Sequence, residues 1–397
     1  MELLTLIQFA AGLVVLILGG ELLVRGATRL AGSIGISALV IGLTVVAFGT
    51  SAPELAVSLQ AATMGHGDLA LGNVVGSNIL NVLLILGLSA AIAPLAVARQ
   101  LVRIDVPIMI AAGLVVWGMA SDGSIGRLEG GLLFGGILGY IVFSIWYSRK
   151  QEKRADPPPQ AALPAMAPEA APKAPESAPA AGPAVAPVEG RNPPAWLISL
   201  ALVGGGLASL TIGSSWLVEA ARAFAAALGV SDVIIGLTVV AVGTSLPEIV
   251  TSVVAGARGQ RDIAVGNVIG SNLFNMLAVL GSAALVAPSG IAVPPTVLSF
   301  DLPVMAAVLA ACLPVFFNGM QISRWEGLIF LAYYAAYTAY LILAATSHAA
   351  LSVFSAVMLA FVLPLTLLTL VVVTAQNVRL ARRRVAASPV GATVAGD

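Results

Sequence analysis

Apolar runs of roughly twenty residues recur along the chain, separated by short polar turns, and they are continuous rather than alternating. Runs of that kind suit helices that cross a bilayer, whereas a membrane barrel needs alternation. Eleven spans can be placed. They are Leu3–Gly20 (with an extension to Leu30), Ile36–Met64, Asp68–Ala93, Ile104–Ala120, Leu128–Tyr147, Trp196–Leu228, Val233–Ala257, Ile263–Ala287, Val297–Phe317, Trp325–Ala344 and Leu351–Val373. The second, third, seventh and eighth carry polar residues at depth. The densest cluster is Gly49-Thr50-Ser51-Ala52-Pro53-Glu54, and it returns as Gly243-Thr244-Ser245-Leu246-Pro247-Glu248, 194 residues later (248 − 54).

The return is part of a repeat. Residues 42–54 and 236–248 agree at 11 of 13 positions, and 72–81 and 266–275 at 7 of 10, at the same offset. Asp105-Val106-Pro107 parallels Asp301-Leu302-Pro303, and Arg127-Leu128-Glu129-Gly130 parallels Arg324-Trp325-Glu326-Gly327. Five spans make one copy. Because five is odd, the second copy enters the membrane from the opposite side, and a binding site is expected near the midplane. The fold class is therefore an all-α polytopic membrane protein, two inverted-topology repeats of five transmembrane helices plus one extra C-terminal helix. Its parts are the first repeat (1–148), a linker (149–193), the second repeat (194–345), the extra helix (346–375) and a basic tail (376–397). Duplication alone would keep the apolar pattern loosely. Here identity concentrates in polar segments, which are costly in a bilayer and usually functional.

Composition agrees. The chain is 59% hydrophobic and 10% charged, too apolar for the surface of a water-soluble domain of 397 residues. Net charge is zero, so no nucleic-acid partner is suggested. The linker is rich in alanine and proline and cannot bury apolar area, so it is expected to be extended rather than a domain. Met1-Glu2-Leu3 lacks a basic n-region, so the first run is expected to be a retained helix. Basic residues favour alternate turns: Arg25 and Arg29; Arg99 and Arg103; Arg149, Lys150, Lys153 and Arg154; Arg258 and Arg261; Arg324; and the tail. That bias places the N-terminus outside a cell membrane and the linker and C-terminus in the cytoplasm.

The two clusters have a common chemistry. Pro53 lacks an N–H and clashes with the carbonyl at Gly49, so the helix is expected to distort over Ala47–Ser51 and free one or more carbonyls. Such carbonyls are tolerated in lipid where they line a cavity or meet a ligand. Thr50, Ser51 and Glu54 add oxygens, as do Thr244, Ser245 and Glu248. Ser77 and Asn81 share a helix face, as do Ser271 and Asn275, with Asn78 and Asn272 beside it. Gly72 with Gly76, and Gly266 with Gly270, are small-xxx-small pairs suited to close helix approach. No His or Cys joins the set. Oxygen-only ligands with two carboxylates select hard cations, Ca²⁺ and Na⁺ above Mg²⁺.

The paired Gly-Thr-Ser-Ala-Pro-Glu (49–54) and Gly-Asn-Val-Val-Gly-Ser-Asn (72–78) motifs, with their copies at 243–248 and 266–272, resemble the alpha repeats of the cation/calcium antiporter superfamily, nearest to prokaryotic sodium/calcium exchangers. The resemblance implies a ten-helix core and exchange of Na⁺ for Ca²⁺ by alternating access. It implies Glu54 and Glu248 as central ligands, with Thr50, Ser51, Ser77, Asn81, Thr244, Ser245, Ser271 and Asn275 around them and carbonyls near Ala47 and Ala241. It further implies first and sixth helices that slide across the rest. Some relatives carry Asp at one of the positions of Asn81 and Asn275; this chain has Asn at both, one potential negative charge fewer. A Ca²⁺/H⁺ or K⁺-dependent Na⁺/Ca²⁺ exchanger is the alternative. The proton-coupled branch carries further acidic residues beside its Gly-Asn motifs, where this chain has Ser and Asn. An intramembrane enzyme lacks support: there is no H-E-x-x-H motif and no Ser–His pair at depth. A membrane scaffold would not need two glutamates in proline-broken helices. No cofactor or protein partner is indicated.

Other polar residues have blander readings. Glu21 and Arg25 form a local i, i+4 pair. Asp68, Asp105, Asp262 and Asp301 read as N-caps, and Glu129 and Glu326 as first-turn acids favoured by the helix dipole. His66 and His348 lie in loops without partners for a metal. Cys312 is a core residue. Trp146, Trp196 and Trp325 mark span ends.

Overall fold

The computed structural model describes residues 3–152, 193–227 and 241–365. The first half runs α1 (Leu3–Ile34), α2 (Ala38–Thr50), α3 (Ala52–Thr63), α4 (Gly67–Ile92), α5 (Leu101–Asp122) and α6 (Arg127–Glu152). The second runs α7 (Pro193–Ala227), α8 (Ala241–Thr244), α9 (Leu246–Ala257), α10 (Arg261–Val286), α11 (Val297–Phe317) and α12 (Arg324–Ala345), followed by α13 (Ala350–Leu365). Among the described residues eight helices are long and apolar enough to cross a membrane, and the bent pair α2–α3 makes a ninth. The linker, the start of the seventh expected span, the end of the eleventh and the basic tail lie outside the described residues.

Four two-residue strands supplement the helices: β1 (Leu95–Ala96), β2 (Ser124–Ile125), β3 (Ile291–Ala292) and β4 (Gln321–Ile322). The β1 strand, between α4 and α5, pairs antiparallel with β4, between α11 and α12. The β2 strand, between α5 and α6, pairs with β3, between α10 and α11. Because α5 crosses the bundle between β1 and β2, the two pairs close opposite ends. Repeat-equivalent turns (β1 and β3, β2 and β4) therefore lie at opposite ends, as the odd span count requires. The basic turns gather at the β1–β4 end. There Ser37, after α1, donates its N–H to Ser148 near the end of α6 (3.2 Å), and Arg258 reaches Glu21 of α1.

Burial follows the polar pattern. The apolar window of α10 is wholly buried and that of α4 is 72% buried, whereas only 6% of the α12 window is, most of that helix being half-buried at the periphery. Leu128, Leu132, Val142 and Leu359 are among the large apolar side chains that face outward, as lipid contact requires. The motif helices are thus the innermost ones.

The longest helix contact was not legible as a motif. Gly12, Gly19 and Gly26 of α1 face Gly213, Gly206 and Val203 of α7 in antiparallel order. A Cβ built on Gly206 would lie 2.6 Å from the Leu23 nitrogen and 2.9 Å from the Gly19 oxygen. Heptad spacing keeps the glycines on one stripe, and backbones meet directly along it. The smaller pair Gly266 and Gly270 behaves as expected, seating α10 against the Leu39 and Leu43 backbone of α2. The repeat equivalents of that facing segment belong to 228–240, outside the described residues.

Four expected N-caps are corrected. Asp105 and Asp301 do not start helices. Each ends a π-helical turn (Leu101–Asp105, Val297–Asp301) that runs on into its helix, and neither caps it. Instead Asp105 accepts a hydrogen bond from Tyr140 (3.0 Å) and Asp301 one from Tyr337 (2.9 Å), tying α5 to α6 and α11 to α12. The N-caps of α4 and α10 are His66 and Gln260, so Asp68 and Asp262 are first-turn acids. Tyr140→Phe is expected to cost about 1–3 kcal/mol, because Asp105 is fully buried and its other oxygen has no protein partner. Tyr337→Phe should cost less, since Asp301 and Tyr337 are half-buried. Comparing the melting temperatures of the two purified variants checks both.

Candidate functional site

The two proline-bearing cores break at equivalent serines. Ser51 (φ −81°, ψ 7°) separates α2 from α3 with a 47° bend, and Ser245 (φ −93°, ψ 9°) separates α8 from α9. Pro53 and Pro247 occupy the first turn of α3 and α9, where a missing N–H is tolerated. The distortion is placed differently from the expectation: Ala47–Thr50 is a regular α-helical turn, flanked by a π-helical turn over Gly42–Val46 and by the break at Ser51. The Ala47 carbonyl is engaged, accepting from the Ser51 N–H at 3.0 Å, with Thr50 Oγ1 3.4 Å away. Ala241 opens the helical turn that ends at Thr244.

Each new helix start aims its first-turn glutamate inward. Glu54 is 0% exposed and Glu248 1%. Ser51 Oγ donates to Glu248 Oε1 at 3.1 Å, and Ser245 Oγ donates to Glu54 Oε1 at 3.0 Å. The serine at each break therefore holds the glutamate of the other half. The second oxygen of each carboxylate, Oε2, is buried with no protein hydrogen bond. Among the described residues neither carboxylate has an ion-pair partner.

The remaining predicted residues arrive by the same crossing. The π-helical turn Asn81–Leu86 in α4 packs on α9, the helix of Glu248, and the turn Phe274–Val279 in α10, with Asn275, packs on α3, the helix of Glu54. Such a turn adds a residue to the helix and rotates the side chains beyond it, which is why these turns recur at functional positions. Both amides of Asn81 and Asn275, and the Ser271 hydroxyl, are buried with no protein partner. The Gly67–Leu80 segment of α4, which carries Ser77, packs against α8, and the Arg261–Leu273 segment of α10, which carries Ser271, packs against the last turn of α2. Thr50 is fully buried, whereas Thr244 is partly buried and bonded.

Sequence reasoning missed a supporting layer. Asn267 accepts from Thr50 Oγ1 at 3.1 Å and donates to Ser252 Oγ at 3.0 Å. Its equivalent, Asn73, donates to Ser58 Oγ at 2.9 Å and to the Glu54 carbonyl at 3.3 Å. Ser58 and Ser252 stand one turn beyond the glutamates, at the repeat offset. Extending the aligned segment by four residues would have exposed them. Asn78 turns away, its Nδ2 3.5 Å from Met305 Sδ.

Two uncompensated carboxylates, amide oxygens and hydroxyls, buried between broken helices in a lipid-facing bundle, are the equipment of a membrane cation transporter. A model of the sodium/calcium exchanger protein family matches the chain twice, over residues 4–146 and 198–343, once per half. The sodium/calcium exchanger MaX1 of Methanosarcina acetivorans is 35% identical over 343 residues, covering 82% of this chain and 95% of that protein. The inner membrane protein YrbG of Escherichia coli is 34% identical over 299 residues, covering 75% and 84%. A solved structure of the sodium-calcium exchanger NCX_Mj, soaked without Na⁺ and Ca²⁺, superposes with a TM-score of 0.69 at 29% identity, covering 86% of this chain and all of that one. The chain belongs to the sodium/calcium exchanger family. It is a multi-pass membrane cation exchanger, not an enzyme, and Na⁺ and Ca²⁺ are its family's substrates.

Proposed function

We propose that the chain is a secondary antiporter that carries Ca²⁺ out of the cell against its gradient while Na⁺ enters. The reading rests on the reciprocal Ser51–Glu248 and Ser245–Glu54 bonds. They hold one oxygen of each carboxylate and leave Glu54 Oε2 and Glu248 Oε2 for the ion. Two carboxylates balance one Ca²⁺, and Na⁺ competes for the same oxygens. Thr50, Ser51, Ser77, Asn81 and the remaining lone pair of the Ala47 carbonyl supply one side of the shell; Thr244, Ser245, Ser271, Asn275 and the Ala241 carbonyl supply the other.

The two five-span halves (1–148 and 194–345) form opposite walls of this centre, and α1 with α7 forms the element that moves. Their glycine seam lets the pair travel as one unit. A bare carboxylate pair in lipid is costly, so the unloaded centre resists the switch and ion loading relieves it. The basic end of the bundle faces the cytoplasm and the N-terminus lies outside, in the cell membrane.

The test is Ca²⁺ uptake into proteoliposomes under imposed gradients. An outward Na⁺ gradient alone is expected to drive uptake. Uptake driven only by a pH gradient would identify Ca²⁺/H⁺ exchange, and a requirement for K⁺ would identify K⁺-dependent exchange. Folded protein that moves no Ca²⁺ under any gradient would remove the exchange reading.

A further inference from the structure

A cavity of about 270 Å³ lies between α1 and the turn joining α9 to α10. It is lined by Val24, Arg25, Thr28 and Arg29 of α1 and by Arg258 and Gln260 of the turn. It belongs to the basic end of the bundle, and no residue of the ion centre lines it. Three of its six lining residues are arginines. Glu21, one turn before Arg25, is ion-paired with Arg25 and with Arg258, the latter at 2.6 Å. That extends the expected local Glu21–Arg25 pair into a clasp between α1 and α9. One carboxylate against three arginines leaves two positive charges in excess. Thr28 spends its hydroxyl proton on the Val24 carbonyl (2.9 Å). The side-chain donors left among the lining residues are therefore guanidinium N–H groups and the Gln260 amide. Arg29 is exposed and has no hydrogen bond or ion pair among the described residues.

We propose that this cavity is a phosphate-binding site. Guanidinium forks match a tetrahedral oxyanion bidentately, and an excess of two charges suits one phosphate group. Two sources could bring it, an anionic phospholipid or free phosphate. The face of α1 that carries Arg25 and Arg29 continues through Leu18 and Val14 at helical spacing, and those two are 54% and 55% exposed. A phospholipid would lay an acyl chain on that apolar stripe with its phosphate among the arginines, which favours the lipid. A bound phosphate would join α1 to the α9–α10 turn beside the Glu21–Arg258 pair. It would tighten a contact already close at Gly20, where an added Cβ would lie 2.8 Å from Val250 Cγ1.

The bland reading is that these arginines only orient the chain in the bilayer. The full-length detergent-purified protein separates the two readings, with bound lipid measured by native mass spectrometry. Wild type is expected to retain phosphatidylglycerol but not phosphatidylcholine. Arg29→Gln should bind phosphatidylglycerol roughly five-fold more weakly, the worth of one basic residue near an anionic surface. Arg103→Gln removes the same charge at the same end outside the cavity and should change nothing. Arg29 and Arg103 are both exposed, so each variant is expected to fold, and its melting temperature in phosphatidylcholine checks that. In a second arm, inorganic phosphate is titrated without anionic lipid. A saturable rise in melting temperature that Arg29→Gln weakens would keep the site and assign it to free phosphate. Equal phosphatidylglycerol binding by wild type and Arg29→Gln, with no phosphate effect, overturns the proposal. So does equal weakening by Arg29→Gln and Arg103→Gln.

Discussion

Replacing either central glutamate by its amide, Glu54→Gln or Glu248→Gln, is expected to abolish Na⁺-driven Ca²⁺ uptake while leaving the protein folded. Glutamine keeps the shape and retains an oxygen that accepts the Ser245 or Ser51 hydroxyl, now 3.0 and 3.1 Å away. What it removes is half the charge facing the ion. Losing one charged partner of a buried contact costs about 2–5 kcal/mol, roughly thirty-fold or more in affinity. The same substitution relieves the ion-free protein of a buried carboxylate that has no ion-pair partner. Basal melting temperature should therefore stay level or rise. Wild type should gain stability from Ca²⁺, by about 2.7 kcal/mol at a hundred times its dissociation constant. Both variants should lose that gain. Retained uptake in both variants would show that the ion is held elsewhere.

The second large effect concerns folding. Gly204, Gly205 and Gly206 are consecutive, yet only Gly206 faces α1. A side chain there meets backbone within 3 Å on Leu23 and Gly19, and backbone cannot rotate away. Gly206→Leu is expected to destabilise by about 3 kcal/mol or more, the upper end of overpacking costs, and to yield little folded protein. Gly206→Ala should show a smaller loss. Gly204 and Gly205 are exposed with no heavy atom within 4 Å of an added Cβ, so Gly205→Leu should cost nothing and can gain up to about 1 kcal/mol from helix propensity. Melting curves of the purified variants decide this. Equal damage at Gly205 and Gly206 would mean that the close approach at Gly206 does not set the cost, since helix propensity favours leucine over glycine at both positions.

Much of the fold and the site was legible because a bilayer makes polar residues conspicuous. A run such as Ile36–Met64 has no packing use for Glu54 or Pro53, so the break and the candidate ligands stand out locally. The repeat could be read because both copies keep the same costly residues. Its inversion needed only a count of spans, and the β1–β4 and β2–β3 pairs agree with it. The aspartates misled for the opposite reason. Asp105 and Asp301 stand before prolines, a local N-cap signature, but their partners Tyr140 and Tyr337 lie on the next helix and leave no local trace.

By itself, then, the sequence determined that the chain spans a membrane, that two broken helices repeat upside down, and that the centre is built from oxygen and negative charge. These come from composition, period and local chain chemistry. Only the tertiary structure decided that Ser51 serves Glu248 and Ser245 serves Glu54, that Asn267 backs Thr50, and that Gly206 rather than Gly205 carries the seam. Each of those depends on which helix face meets which, across nearly two hundred residues of chain. That is set by packing between helices, and no local pattern around Gly49–Glu54 encodes it.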